Sequence, residues 1–81
     1  MIRRARMLPS DQEVRNTIAG NVQYFLEVRG LSRRDLAKRT GDPVASVARV
    51  AAGSHTCGTG LVVRIADALG VTLDRLLLPP Q

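Results

Sequence analysis

The amino-acid sequence predicts an all-α domain of five helices, and three observations carry that expectation. Tyr and Phe each occur once in 81 residues although 44% of the chain is apolar, so the core must be built from Leu, Val, Ile and Ala, which suits helices that approach closely. The apolar residues recur at helical spacing rather than alternating, and no stretch reads as a strand. Most of these stretches open on a capping residue and close on glycine or proline. A chain this short holds one domain, whose core is marginal unless it is compact, helical or dimeric.

Residues 1–9 carry Arg3, Arg4 and Arg6, end in Pro9 and show no period that a core could use; a flexible basic arm is the expectation. The folded domain is expected to span 10–78, with 79–81 as a tail. Ser10 through Glu13 matches a capping box, which starts the first helix. Val14, Ile18, Val22, Phe25 and Leu26 then form one apolar stripe. Gly20 weakens the middle of that helix by about 0.8–1 kcal/mol relative to Ala, leaving open a break or a late start near Thr17, and Gly30 ends it.

Ser32 caps a short second helix, RRDLAKRT, with Leu36 and Ala37 inward and Arg33, Arg34, Lys38 and Arg39 outward. Gly41 is placed for the left-handed backbone of a tight turn. Asp42 is expected to cap the third helix with Pro43 at its first position, Val47 and Val50 buried, and Gly53 as its stop. SHTCGTG, residues 54–60, reads as a loop into a fourth helix with the stripe Val62, Ile65, Ala66 and Leu69, closed by Gly70. Thr72 caps a last helix, LDRLLL, which Pro79 and Pro80 end.

Composition narrows the function. The net charge is +5, the isoelectric point is about 11.1, and every basic residue but Lys38 is arginine. The planar guanidinium fork suits phosphate oxygens and guanine edges, so nucleic acid is the natural anionic partner. The lone Cys57 and the lone His55 cannot assemble the four ligands of a tetrahedral zinc site, and no catalytic constellation or phosphate-binding loop motif is present. No enzyme activity, cofactor or small-molecule substrate is expected. No apolar run approaches the roughly 20 residues that cross a bilayer, and MIRRARMLPS has no signal-peptide pattern; a soluble cytoplasmic protein is expected.

The second and third helices, joined by a glycine turn, satisfy the description of a helix-turn-helix unit over about residues 32–51. A structural helical hairpin would show the same pattern. From Asn21 to Leu77, however, the stretches LEVRGLSRRDLAKRTG, SVARVAAG and LVVRIADALGVTLDRLL resemble, without a gap, the lambda-repressor-like (XRE, Cro/cI-type) helix-turn-helix family. The resemblance implies a compact five-helix domain that binds double-stranded operator DNA, usually as a symmetric dimer. It implies a transcriptional regulator, a repressor in the first instance, encoded by a bacterium or its phage and associated with the nucleoid when bound.

Carried over position by position, the resemblance brings Arg33 and then Val44, Ala45, Ser46, Ala48 and Arg49 to DNA. Family members commonly have Gln at the Arg33 position, polar residues at 44 and 45, Glu-Asn where this chain has Ala51-Ala52, and Pro-Ser or Pro-Thr where it has Cys57-Gly58. With the residues present, Arg49 can fork onto guanine O6 and N7, and Val44 and Ala45 can meet thymine methyls without hydrogen-bonding a base edge. Phosphate contact is expected of Ser32, Arg33, Arg34 and Lys38, and Arg3, Arg4 and Arg6 are candidates for an adjacent minor groove. Consecutive Leu76, Leu77 and Leu78 cannot all face one small core, which points to a homodimer contact. The rival reading is a protein-interaction module, or a nonspecific DNA binder, because the exposed side of the third helix offers so few hydrogen-bonding groups.

Overall fold

Backbone amides that a helix cannot satisfy internally fix where the first element begins. The Ser10 hydroxyl oxygen accepts from the Glu13 amide at 3.2 Å while the Glu13 carboxylate accepts from the Ser10 amide at 2.9 Å, the reciprocal capping box anticipated above. The structure, a computed structural model, describes residues 10–54 and 58–79. The arm arginines Arg3, Arg4 and Arg6, the pair His55 and Cys57, and Pro80 and Gln81 lie outside the described residues. Five helices form among those described: α1 (Asp11–Arg29), α2 (Arg33–Thr40), α3 (Val44–Ala51), α4 (Thr59–Leu69) and α5 (Leu73–Leu77), with no strand.

The α1 helix runs unbroken through Gly20. Gly20 is exposed and a Cβ built there meets nothing within 4 Å, so its cost is propensity alone. The α2 helix repeats the Ser10 device. Ser32 Oγ accepts from the Asp35 amide and Asp35 Oδ2 accepts from the Ser32 amide, both at 3.0 Å. That second capping box holds the Asp35 carboxyl below the usual carboxylate range, chiefly through the Ser32 amide. The α4 helix starts two residues earlier than the polar composition of 54–60 suggests, with Gly58 as its N-cap. Thr72 caps α5 by accepting from the Arg75 amide at 3.3 Å.

Packing follows from the stripes. The α1 helix lies against α3 and α5, α2 against α3 and α4, and α4 against α5. Val22, Leu36, Val47, Ile65 and Leu76 meet at the centre, each fully buried, and each such side chain stabilises the fold by roughly 1.5–3 kcal/mol relative to exposure. Leu76 therefore corrects one expectation. It faces this chain's own core, so of the three consecutive leucines only Leu77 and Leu78 are left at the surface. Successive residues of a helix point about 100° apart, so Leu76 turns inward where Leu77 does not, and Leu78 lies past the end of α5 as its extended C-cap.

A single polar side chain, Asn21, is buried among the described core residues. It sits beside Val22 on α1, and its Nδ2 donates to the Leu76 carbonyl at 2.8 Å and to the Leu78 carbonyl at 2.9 Å. These are carbonyls at the end of α5 that no further helical turn can satisfy. One amide thus ties the last helix to the first.

Replacing Gly20 by Ala is expected to stabilise the domain by about 0.8–1 kcal/mol, which raises the melting temperature by about 4–8 °C per kcal/mol in a domain of this size. Thermal denaturation followed by circular dichroism checks this, and an unchanged or lower midpoint would contradict the unstrained geometry at position 20.

Candidate nucleic-acid interface

An eight-residue helix is too short to persist alone in water, so α3 exists only as its surroundings hold it. Val47, Val50 and Ala51 are its buried face, each at most 1% exposed, and they press it against α1 and α2. That leaves Val44, Ala45 and Arg49 exposed, while Ser46 and Ala48 sit half-buried at the seam. Burial of Ala51 also gives a reason for a small residue there: its side faces the core, not solvent.

The two ends of α3 are fixed by side chains from other helices. At the N-terminal end the expectation for Asp42 is corrected, because Pro43 is the N-cap, in an extended conformation and with no side-chain cap. The Asp42 carboxylate instead accepts from Arg64 Nε at 2.9 Å and from Arg64 Nη2 at 2.8 Å. A forked, charge-assisted pair is stronger than one hydrogen bond to a neutral amide, and so the aspartate turns to α4. The guanidinium holds the Asp42 carboxyl below its ordinary range, and the carboxylate in turn raises Arg64.

At the C-terminal end the chain leaves α3 through Gly53, whose φ of +76° belongs to the left-handed region. The Ser54 amide reaches back to the Arg49 carbonyl at 2.9 Å and the Gly53 amide to the Val50 carbonyl at 3.1 Å, closing the helix. Two glutamines of α1 complete the closure. Gln12 Nε2 donates to the Gly53 carbonyl at 3.3 Å and Gln23 Nε2 donates to the Ala51 carbonyl. The approach is close: a Cβ on Gly53 would stand 3.0 Å from Asn16 Oδ1.

The turn between α2 and α3 is tight. Gly41, at φ +79°, gives its amide to the Ala37 carbonyl at 2.9 Å, and Asp42 and Pro43 lead directly into α3. On α2, Arg33, Arg34 and Lys38 are exposed and available to phosphates. Ser32 is exposed too, but its oxygen is engaged by the Asp35 amide, so only its hydroxyl proton is left to give. Arg39 points elsewhere, with Nη1 3.5 Å from the Ala68 carbonyl on α4. The two helices of the unit therefore carry one basic set on α2 and one largely apolar exposed face on α3, with Arg49 as its sole described cation.

Residues 2–78 match the family described as the helix-turn-helix domain. The chain belongs to that family. A Neisseria meningitidis serogroup B (strain ATCC BAA-335 / MC58) protein described as a Neisseria hypothetical transcription factor is 34% identical over 74 residues, spanning 91% of this chain and 70% of that one. The crystal structure of hypothetical transcription factor NHTF from Neisseria is similar with a TM-score of 0.80 at 32% identity, covering 95% of this chain and 88% of that one. Within this helix-turn-helix domain α2 and α3 follow one another through the turn at Gly41.

Sequence reasoning missed Gln12, Gln23, Asn21 and Arg64, each of which acts across a helix boundary. No helix among the described residues is long and apolar enough to cross a membrane, and none of their His, Cys, Asp and Glu side chains group in threes as metal ligands would.

The Asp42 pair carries a pH signature. A carboxyl whose folded value lies below its unfolded one stabilises the fold above the ordinary carboxylate range, and that contribution disappears as pH falls through the folded value. The melting temperature of Asp42→Asn is accordingly expected to lie below that of the wild type at neutral pH and to converge with it below about pH 4. A gap of constant size down to pH 2 would show that the carboxylate's charge is not what the pairing uses.

Proposed function

We propose that this helix-turn-helix domain is a DNA-binding transcriptional regulator, a repressor of the lambda-repressor-like kind, that docks α3 in the major groove of an operator. The observation that carries the reading is the arrangement of the pair. The α3 helix is held by its buried face and at both ends, and beside it α2 presents Arg33, Arg34 and Lys38 to solvent. A major groove about 12 Å wide admits one helix, and cations flanking it meet the phosphates.

The division of labour follows from the residue types. Arg49 reads guanine through a bidentate contact worth about 1–3 kcal/mol of discrimination. Val44 and Ala45 contact thymine methyls, and Ser46 and Ala48 approach the bases from the seam. Ser32, Arg33, Arg34 and Lys38 position the helix through phosphates. Arg3, Arg4 and Arg6 add minor-groove contacts that respond to groove width more than to sequence. Affinity thus comes mostly from charge, and direct readout is thin.

A homodimer is part of the proposal. Leu78 is 60% exposed, Val28 58% and Tyr24 56%, and Tyr24 and Leu78 line one groove together with Phe25, Asp74 and Pro79. A two-fold interface is self-complementary, and this face offers adjacent apolar knobs and the groove to receive them. The exposed apolar side of α3 favours one second reading, a protein-interaction module whose affinity for DNA is incidental.

Random-oligonucleotide selection with the purified chain separates these readings: an enriched motif supports the regulator, and no preference over random DNA supports the alternatives. Arg49→Ala is expected to relax preference at one base pair by about 1–3 kcal/mol, whereas Arg33→Ala weakens all duplexes alike and lowers the salt slope by about 1. Unchanged profiles in both variants would overturn the docking.

Sedimentation equilibrium tests the dimer. Leu78→Glu is expected to shift the chain towards monomer while leaving the helical signal intact, because it is the Leu78 backbone carbonyl, not its side chain, that Asn21 holds. A wild type that stays monomeric at high micromolar concentration would remove this part of the proposal.

A further inference from the structure

Arg64 belongs to α4, outside the α2 and α3 pair, yet its guanidinium stands at the mouth of α3. Asp42, which it grips, is two residues ahead of Val44. We propose that Arg64 is a further DNA phosphate contact, aimed by Asp42 at the groove edge beside the N-terminal end of α3. The inference rests on the DNA-binding reading above.

Three features support it. First, the fork is only partly used. A guanidinium carries five N–H donors, and Asp42 takes one from Nε and one from Nη2, leaving both on Nη1 and one on Nη2. Second, the side chain that carries those donors is half exposed, 50% against 17% for Asp42. A Cβ built on Gly60 would stand 3.2 Å from Nη1. The glycine leaves that side of the guanidinium uncrowded. Third, the charge is needed there. A carboxylate at the tip of a helix entering a polyanion is repelled, and Arg64 both cancels Asp42 and offers its remaining donors to the next anion. Held by two hydrogen bonds, it meets a phosphate without first losing the freedom that a solvated arginine would give up.

Binding of the full chain to a selected duplex and to random duplexes, titrated over about 0.05–0.2 M salt, tests this. Arg64→Gln is expected to weaken every duplex alike, by about fivefold at 0.15 M salt, and to lower the slope of log affinity against log salt by about 1. Asp42→Asn breaks the same ion pair but keeps the cation, so its slope is expected to be undiminished. Arg64→Lys, which keeps the charge on a shorter reach, is expected to retain the slope even where Arg64→Gln lowers the melting temperature. Arg75 lines the groove beside Leu78; compared with the wild type at equal oligomeric state by sedimentation, Arg75→Gln, the same loss of charge on the α1 and α5 face, is expected to leave the slope unaltered.

If Arg64→Gln and Asp42→Asn weaken binding equally with the slope unchanged, the pair only braces the turn and the inference is overturned. An equal slope loss in Arg75→Gln overturns it as well, since net charge alone would then explain the effect. Binding that depends on Arg33 and Arg49 but not on Arg64 defeats this inference alone. A wild-type chain that binds no duplex defeats the DNA-binding reading and this inference with it.

Discussion

The burial of one side of α3 is the constraint on which the rest of the molecule depends. Eight residues cannot sustain a helix through their own hydrogen bonds, and α3 carries no side-chain cap of its own. What keeps it helical is the insertion of Val47, Val50 and Ala51 among Val22, Leu36 and their neighbours. The core in turn is built almost wholly of aliphatic side chains, whose small size lets α2 and α3 approach closely. A helix held from behind in this way can present its other side to a partner without needing that partner in order to fold.

Burial fixes which face looks inward but leaves a short helix free to slide and tilt. The polar contacts at its two ends supply what apolar packing lacks, because hydrogen bonds are directional. Gln12 and Gln23, two residues of α1 eleven positions apart, take carbonyls where α3 ends. Arg64 of α4 takes the carboxylate just before α3 begins. The interaction of α1 with α5 through Asn21 uses the same means at the far side of the domain. Each amide satisfies carbonyls at a helix end, where the regular ladder runs out, and the guanidinium pairs a carboxylate just ahead of one.

Much of this was legible in the sequence. The capping box at Ser10, the cap at Ser32, the turn at Gly41 and the five-helix all-α order can be read because each depends on residues within about four positions of one another. The core stripes can be read because helical periodicity is a property of one segment. The errors fall where a local signal had a distant competitor. Asp42 has the right chemistry for an N-cap, and only the approach of Arg64 from α4 turns it elsewhere. Leu76 looks like part of an exposed leucine run until α1 and α4 close over it. The start of α4 at Thr59 was hidden by its glycines, which are poor helix formers that packing overrides.

By itself, then, the sequence determined the number and order of the helices, the glycine turn between α2 and α3, and the excess of arginine that points to a polyanion. Those properties are local or additive, and they need no knowledge of what lies across the core. Only the tertiary structure decided which leucine is buried, which helix receives the Asp42 carboxylate, and which side-chain amides close α3 from α1. Such contacts join residues up to 57 positions apart. Their partners are chosen by the path of the chain in space, and nothing in the spacing of the residues records that choice.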